Sequence, residues 1–442
     1  MSMKRRNEEL KQLLKQDSIV MGMLGKQAVS NQKYRPLTYV LTAETAEKKV
    51  FYNLLTHEII VIDLSELESS ETGRYLIENW YLVPEGHDDQ LLVDECRTVI
   101  SLMNSVPKKI HVFHIFTTLD CNARCFYCFE KRMSESNMTL ETASRVIEYM
   151  QEQADGEPIE IVWFGGEPLF NYPVIDFITS GLRERGVRFE SDMISNGLLF
   201  NNALEEKANN LWNLRNVQIT LDGTRQVYKE IKAYVTDVDD PFMRVLQNIK
   251  NLLRAEIRVR IRLNIGLHNY KDMQDLVTFL CEEFKGENNF YVYIKPLLEL
   301  IEYEDDEKVL IYDLIDEITN KLNQYFGKRK KNEFAEKIAN SYCMATGREA
   351  VTILPDGKVG ICENITSDVW LGDIYTKEID TNVRAEFGRR FYREDKCRPC
   401  PLYPNCYIVN GCPNKDNKEG CDPIKVERQI RRIKEKMKTR CR

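Results

Sequence analysis

Three cysteines lie in one short run, Cys121, Cys125 and Cys128, with the spacing Cys-x3-Cys-x2-Cys. Each of the four irons of a 4Fe–4S cluster needs an external ligand, and cysteine thiolates are its usual ligands. Three protein thiolates therefore leave one iron open to a small molecule. Zinc sites usually pair two Cys-x2-Cys hooks or add histidines, which this run lacks. The spacing predicts an iron–sulfur cluster with one open iron rather than three unrelated thiols.

A second motif follows a predicted strand. Ile159–Phe164 is apolar and β-branched, as expected of a buried strand, and it runs into Gly165-Gly166-Glu167-Pro168. Glycines at a strand end allow the backbone to approach a ligand closely, and the Glu167 carboxylate can bind an ammonium group. Alone, this tetrapeptide would indicate only a turn, but its position after the cysteine run indicates a binding site.

The two motifs together resemble those of the radical S-adenosylmethionine enzymes, and the resemblance extends over about Ile110–Pro296. It implies that the amine and carboxylate of S-adenosylmethionine chelate the open iron. It also implies that Gly165, Gly166 and Glu167 hold the amine and that Tyr127 lies near the adenine.

Three further cofactor-binding positions follow from the same resemblance: Ser195, Asp222 and Lys232. Ser195 matches a ribose contact, although a plain Ser-Asn-Gly turn is the alternative. Asp222 matches the end of the fourth strand. Relatives often carry an arginine for the methionine carboxylate shortly afterwards, and Lys232 is the candidate substitute here.

The composition fits a protein of two or three domains, with 442 residues, 43% of them hydrophobic and 30% charged. The formal net charge of −7 gives no reason to expect a nucleic-acid partner. No apolar run reaches membrane-spanning length, and the start lacks the apolar segment of a secretory signal. The clustered members of the thirteen cysteines are therefore expected to be metal ligands in a cytoplasmic protein, whereas Cys96, Cys281 and Cys441 are expected to have no such role.

Predicted strands alternate with predicted helices through the middle of the chain. The strands are His111–Thr117, Ile159–Phe164, Val187–Ile194, Val217–Leu221, Ile257–Ile265 and Phe290–Pro296. This alternation predicts an α/β fold with a parallel sheet covered by helices. Six such units make a partial (β/α)6 TIM-like barrel, in which ligands gather at the carboxyl ends of the strands. The cysteine run, Gly165, Ser195 and Asp222 all fall at such ends.

Seven more cysteines follow the barrel: Cys343, Cys362, Cys397, Cys400, Cys406, Cys412 and Cys421. Proline, glycine, asparagine and aspartate interleave them, as expected for loops wrapped around metal. The pattern resembles the SPASM extension of peptide-modifying radical enzymes, although five residues rather than the usual three separate Cys406 from Cys412.

The SPASM resemblance implies two auxiliary 4Fe–4S clusters, and therefore three clusters in all. The ligands of one are Cys397, Cys400, Cys406 and Cys421, and those of the other are Cys343, Cys362 and Cys412. Because no cysteine lies where some relatives place a further ligand, an open iron that binds a substrate cysteine is expected in the second cluster. The alternative is a fourth ligand from Cys281, Cys441, a carboxylate or water. Zinc is the alternative for the first set, since four thiolates also suit zinc.

The first hundred residues form a separate pattern of strands and then helices. The strands are Leu37–Thr42, Lys49–Leu55 and Glu58–Ile62, and the helices are Ser70–Trp80 and Asp88–Met103. This order resembles the winged-helix module with which maturases of ribosomally made peptides bind a leader peptide. An exposed strand edge can accept an extended peptide; a plain packing or dimerisation module is the alternative.

Three domains are therefore expected: residues 1–107 for leader recognition, 108–330 for the barrel and 331–442 for the iron–sulfur extension. The resemblance implies a radical enzyme that crosslinks a precursor peptide, most simply through a cysteine-derived thioether, with an electron donor such as flavodoxin or ferredoxin. Glu363, which follows Cys362, is the candidate catalytic base. The alternatives are a sulfatase maturase that forms formylglycine, and a non-catalytic iron–sulfur electron-transfer or scaffold protein.

The separate grouping of the cysteines leads to a first prediction. Replacing Cys121, Cys125 and Cys128 together with alanine should abolish cleavage of S-adenosylmethionine, while roughly two clusters' worth of iron remains in the C-terminal region. Iron and sulfide analysis of the folded triple variant measures this. Near-complete loss of iron would contradict three independent sites.

Overall fold

The computed structural model describes residues 24–103, 109–128, 130, 136–297, 301, 303–326, 344–347, 349–363, 370–383, 395–406 and 421–439. The strands are β1 (Tyr34–Pro36), β2 (Val40–Glu44), β3 (Lys48–Asn53), β4 (Ile59–Asp63), β5 (Leu82–Pro84), β6 (Val112–Thr118), β7 (Ile159–Gly165), β8 (Phe189–Ser195), β9 (Leu214–Thr220), β10 (Arg258–Ile265), β11 (Phe290–Pro296), β12 (Ala350–Ile353), β13 (Lys358–Gly360) and β14 (Trp370–Asp373). The α-helices are α1 (Ser70–Glu78), α2 (Asp89–Met103), α3 (Leu140–Ala154), α4 (Tyr172–Glu184), α5 (Asn202–Asn210), α6 (Arg225–Lys232), α7 (Pro241–Arg254), α8 (Tyr270–Glu283), α9 (Asp305–Tyr325), α10 (Met344–Gly347) and α11 (Pro423–Thr439).

The central sheet has nine strands among the described residues, in the order β11-β10-β9-β8-β7-β6-β12-β13-β14. Strands β6 to β11 are parallel, and each lies beside the next one in the sequence. Helices connect them, and side chains cap several of these helices; Thr139, for example, accepts a hydrogen bond from Thr142 at the start of α3. The predicted α/β fold with a partial TIM-like barrel is thereby confirmed.

Three short strands extend this sheet beyond β6. Strand β12 pairs with β6 in parallel, and β13 and β14 add antiparallel to it. The sequence analysis did not predict these strands, because each has only three or four residues. They bear on the predicted site, since Cys362 and Glu363 lie two and three residues after the end of β13.

Successive side chains of β6 point to opposite faces of the sheet. On β6, Phe113 and Ile115 are fully buried, and the Phe113 ring meets Tyr149 of α3 edge-on at 6.4 Å between centroids. Phe116 on the opposite face packs with Phe164 and Leu354 instead. Because successive residues of a strand point to opposite faces, this alternation fixes which side chains face the helices.

The N-terminal region contains a three-stranded antiparallel sheet in the order β2-β3-β4, and a separate pair of β1 with β5. The predicted strands and helices of this region are present with shifted ends. One face of the sheet packs in a core that also contains Leu402, Tyr403 and Met437 from the C-terminal region. The first and last parts of the chain therefore fold around one shared core.

Contacts within the chain divide it into two compact units. Unit 1 comprises Met1–Pro107, Lys330–Thr346 and Glu386–Arg442, and unit 2 comprises Lys108–Arg329 and Gly347–Ala385. The range 331–442, which the sequence analysis treats as one domain, is distributed over both units. Among the described helices, none combines the length and apolar character needed to cross a membrane.

Candidate active site

The loop with the first three cysteines follows β6 at the carboxyl end of the parallel sheet, as predicted. Its backbone is held by α6 and the residues after it: Arg124 N–H donates to the Lys232 carbonyl at 2.8 Å, and Val235 N–H donates to the Asn122 carbonyl at 2.9 Å. Within the loop, Ala123 N–H lies 3.4 Å from Cys121 Sγ. The three thiols therefore sit on a loop fixed at both flanks.

Gly165 and Gly166 lie directly against this loop. Gly165 has φ of +116°, and a Cβ there would lie 2.1 Å from the Thr118 carbonyl oxygen; one on Gly166 would lie 2.2 Å from that of Asp120. Gly166 and Glu167 donate backbone hydrogen bonds to the same two carbonyls at 3.1 and 2.9 Å. The glycines are thus needed because the cysteine loop occupies the space of their side chains.

Glu167 is fully buried and held in one orientation by donors. Its carboxylate accepts hydrogen bonds from the Ser195 hydroxyl and Asn196 N–H, both at 2.8 Å, and from Leu169 N–H at 3.2 Å. Burial raises the pKa of Glu167 to about 7, although these hydrogen bonds oppose the rise. A buried carboxyl of this kind gains stabilisation from an ammonium group, which fits the predicted amine contact.

Asn196 was not singled out from the sequence, yet it links the two motifs. Its side-chain Nδ2 donates to the side-chain Oδ1 of Asn122 at 2.6 Å and lies 4.0 Å from Cys121 Sγ. Ser195 in turn accepts Gly197 N–H at 2.9 Å, as in a Ser-Asn-Gly turn. The Ser-Asn-Gly turn and the predicted ribose contact of Ser195 therefore concern the same loop.

Asp222 anchors a buried polar network beneath Tyr127. It accepts the Tyr127 hydroxyl at 2.7 Å and the Asn264 amide at 2.9 Å, and its carboxylate lies 2.8 Å from the Lys232 ammonium. Both charged side chains are nearly inaccessible to solvent, at 2% and 0% exposure for Lys232 and Asp222. The network holds the Tyr127 side chain, one residue before Cys128.

Lys232 is engaged by this network. Besides Asp222 it contacts the Thr220 hydroxyl and lies 3.4 Å from the Tyr127 hydroxyl. Burial acts to lower the pKa of Lys232, but Asp222 and the other nearby groups raise it well above its usual range. The ammonium thus remains charged, and its contact with a methionine carboxylate stays a prediction.

Glu363 lies on the inner face of the sheet, where one of its carboxylate oxygens is 2.8 Å from Nδ1 of His114 on β6. His114 and Glu363 are far apart in the sequence, and the pairing of β12 with β6 brings their regions together. Glu130 is a nearby buried carboxyl that was missed. Burial, with Glu167 and Glu363 as neighbours, raises its pKa to about 7.

The later cysteines fall in both units. Cys397, Cys400, Cys406 and Cys421 belong to unit 1 and Cys362 to unit 2, whereas Cys343 and Cys412 lie outside the described residues. Burial raises the pKa of Cys400, and the nearby Cys421, Cys406 and Cys397 thiols raise it further. The Cys400 thiol therefore feels the other three thiols electrostatically, and their role as ligands of one auxiliary site stays a prediction.

The donor sets suit iron–sulfur clusters. In the described ranges no three His, Cys, Asp or Glu side chains converge on a single ion, but a four-iron cluster spreads its ligands over separate irons and does not need such convergence. Burial and the neighbouring Glu167 raise the pKa of Cys121 to about 12, and metal coordination would hold that thiol deprotonated.

Residues 115–280 match the model of the Radical SAM superfamily. This part of the chain is therefore similar to radical SAM enzymes. The matched range contains the cysteine loop, the two glycines, Glu167 and Asp222, so the family match and the geometry concern the same site.

Two relatives illustrate the similarity. The chain is 27% identical to a GTP 3′,8-cyclase of Clostridium perfringens over 282 residues, which covers 58% of this chain and 81% of the relative. It is 22% identical to the radical SAM cyclopropyl synthase TigE of Paramaledivibacter caminithermalis over 429 residues, which covers 86% of this chain and 82% of TigE.

Solved structures share the fold. The anSMEcpe protein with bound AdoMet has a TM-score of 0.56 at 16% identity, covering 72% of this chain and 92% of anSMEcpe. Streptococcus suis SuiB bound to precursor peptide SuiA has a TM-score of 0.51 at 16% identity, covering 89% of this chain and 99% of SuiB.

The contact between the glycines and the cysteine loop yields a second prediction. Gly166→Ala should displace the loop at Asp120, because its Cβ would overlap the carbonyl oxygen, and should lower S-adenosylmethionine cleavage roughly a hundredfold. Iron content should fall by about four atoms per chain. Gly73→Ala is the control, since nothing lies within 4 Å of that added Cβ. Equal iron and activity in both variants would refute the role of this contact.

Proposed function

We propose that this protein is a radical S-adenosylmethionine enzyme that modifies a ribosomally made precursor peptide. The observation that carries the proposal is the cysteine loop locked against Gly165 and Gly166 beside the buried carboxylate of Glu167. When bound, the reduced cluster and S-adenosylmethionine supply a 5′-deoxyadenosyl radical that abstracts hydrogen from the substrate.

Different residues around the cysteine loop position different parts of S-adenosylmethionine. Glu167 binds the amine of S-adenosylmethionine. Ser195 and Asn196 hold the Glu167 carboxylate in place by hydrogen bonds. Asp222 and Asn264 fix the Tyr127 hydroxyl, so the Tyr127 ring has a defined position for stacking near the adenine. The protein thereby orients the cofactor toward the target and keeps water away.

A peptide substrate is favoured over a small molecule by what lies outside the barrel. The similarity to GTP 3′,8-cyclase covers 58% of this chain, whereas the fold shared with peptide-bound SuiB covers 89%. The anSMEcpe protein has also been solved with AdoMet and the Cp18Cys peptide. The additional N- and C-terminal regions of this chain are therefore suited to peptide recognition and iron–sulfur chemistry.

The leader peptide binds along β4 as an added strand. Asn53 N–H bonds to the Glu58 carbonyl and Leu64 N–H to that of Glu47, so the even-numbered residues of β4 bond to β3. The backbone groups of Val61 consequently point to the open edge. Val61 itself is 42% exposed, which favours a leader with apolar side chains in an extended conformation.

The favoured product is a cysteine-derived thioether. Cys397, Cys400, Cys406 and Cys421 would hold one auxiliary cluster, and Cys343, Cys362 and Cys412 would hold a second, which would supply an open iron for the substrate thiolate and an acceptor for the electron released on C–S bond formation. Glu363, held by His114, serves as the base near the target. Flavodoxin or ferredoxin is the class of electron donor, and formylglycine formation is the alternative outcome.

The function is tested by incubating the reduced, anaerobic holoenzyme with S-adenosylmethionine and a precursor peptide. We expect 5′-deoxyadenosine, and a peptide whose mass falls by about two hydrogens per thioether while its cysteine resists alkylation. A peptide that has lost its cysteine sulfur and gained an aldehyde, detected with a carbonyl reagent, would favour formylglycine instead. Absence of 5′-deoxyadenosine from cluster-loaded enzyme would identify a non-catalytic iron–sulfur protein.

Leader binding yields a separate prediction that uses the full chain. Deleting residues 1–107 would expose Leu402, Tyr403 and Met437, so a single change on β4 is the cleaner test. Val61→Pro removes one outward N–H without touching the bonds to β3, and should weaken precursor affinity up to about tenfold. Val61→Thr retains the N–H and should bind normally. Equal affinities, measured by fluorescence anisotropy, would exclude this edge.

A further inference from the structure

Arg97 on α2 is a buried cation in unit 1, with 3% of its side chain exposed. Its Nη2 donates to the carbonyl of Tyr403 and, at 3.3 Å, to that of Pro404. The guanidinium also lies over the Tyr403 ring, with 4.4 Å from its carbon to the ring centroid. An arginine of the N-terminal region therefore binds the segment that precedes Cys406, through hydrogen bonds and a cation–π contact.

This segment is a series of tight turns between candidate ligands. Cys400 N–H bonds to the Cys397 carbonyl, Tyr403 N–H to that of Cys400, and Cys406 N–H to that of Tyr403, at 3.1, 3.1 and 3.3 Å. Arg97 and the Cys406 amide thus share one acceptor, the Tyr403 carbonyl. The guanidinium lies beside the cysteine that follows.

The charge of Arg97 is only partly compensated by the carboxylates of the described residues. Its nearest carboxylate among the described residues is that of Asp94, 3.7 Å from Nη1, and Asp94 also accepts the Tyr403 hydroxyl at 2.8 Å. In the described part of the chain, Nε and Nη1 are buried without a hydrogen-bond acceptor. A buried guanidinium with two unsatisfied donors is costly unless an anion lies nearby.

A four-thiolate cluster supplies such an anion. Each ligand is a thiolate, so the assembly is negatively charged, and it becomes more so on reduction. Cys397, Cys400 and Cys406 already pack against the core that surrounds Arg97, and the Cys406 thiol acts on the guanidinium electrostatically. The unsatisfied donors and the cysteine group therefore have complementary charge.

We propose that Arg97 is a positioning and charge-compensating residue for the auxiliary cluster of Cys397, Cys400, Cys406 and Cys421. This rests on the proposed function, which places a 4Fe–4S cluster there. The guanidinium stabilises the reduced, more negative cluster more than the oxidised one, and so raises its reduction potential. The N-terminal region then contributes both the leader-binding edge and a residue that tunes an electron acceptor.

The competing explanation is that Arg97 only fastens the Tyr403–Pro404 backbone. The two explanations differ in what a neutral or a cationic replacement does. Arg97→Lys retains the charge but loses the planar fork, whereas Arg97→Gln retains donor capacity but loses the charge. Arg398→Gln is the matched control, because Arg398 neighbours Cys397 in sequence yet is 71% exposed, where solvent screens its charge.

The experiment is a redox titration followed by electron paramagnetic resonance, in full-length protein whose Cys121, Cys125 and Cys128 are alanine so that the auxiliary signals are isolated. Iron and sulfide content and thermal unfolding are measured in parallel. Arg97→Gln should shift the reduced-to-oxidised ratio of one auxiliary cluster about tenfold toward oxidised, which is ~59 mV for a one-electron couple. Arg97→Lys should retain most of the potential, and Arg398→Gln should not move it.

Each outcome bears on one claim. Iron retained in Arg97→Gln with an unmoved potential would overturn the proposal while leaving the auxiliary cluster intact. Arg97→Lys and Arg97→Gln with the same lowered potential would show that shape rather than charge matters, and would overturn it too. Zinc in place of iron in the parent protein would remove the auxiliary cluster of the proposed function itself, which the metal analysis detects before any titration.

Discussion

The candidate active site depends on one backbone contact, the approach of Gly165 and Gly166 to the carbonyls of Thr118 and Asp120. It brings the end of β7 against the loop that follows β6, closer than any side chain would allow. Two backbone hydrogen bonds stabilise the contact. Because Glu167 comes next in the chain, the same contact also fixes the buried carboxylate relative to the three cysteines.

Two charged side chains of the candidate site are buried away from solvent. The Asp222–Lys232 pair is fully buried, and such pairs are stable only when the remaining donors and acceptors are also satisfied. Here Tyr127, Asn264 and Thr220 satisfy them. Removing one partner of a buried pair typically costs about 3–5 kcal/mol, so the network gives the cysteine loop a rigid base.

The N- and C-terminal regions constrain each other in a similar way. The core of the small sheet is completed by Leu402, Tyr403 and Met437, and α11 packs against strands β2 and β3. The small N-terminal sheet and the last four predicted ligand cysteines of the described residues, Cys397, Cys400, Cys406 and Cys421, are thus parts of one folded unit, whereas Cys362 belongs to the other.

The sequence by itself determined the chemistry and the main fold. The cysteine spacing, the double glycine and the strand–helix alternation are local patterns, and each reflects short-range geometry that needs no distant partner. The parallel order of β6–β11 confirms the predicted fold, and the family match covers the range that contains the cysteine run and the double glycine. The tertiary structure alone decided which polar residues meet. Asn196 reaches Asn122, His114 reaches Glu363, and Arg97 reaches Tyr403, across separations that carry no periodic signal. The three-residue strand β13 was missed for the same reason, since it is stabilised by its neighbours in the sheet rather than by its own sequence.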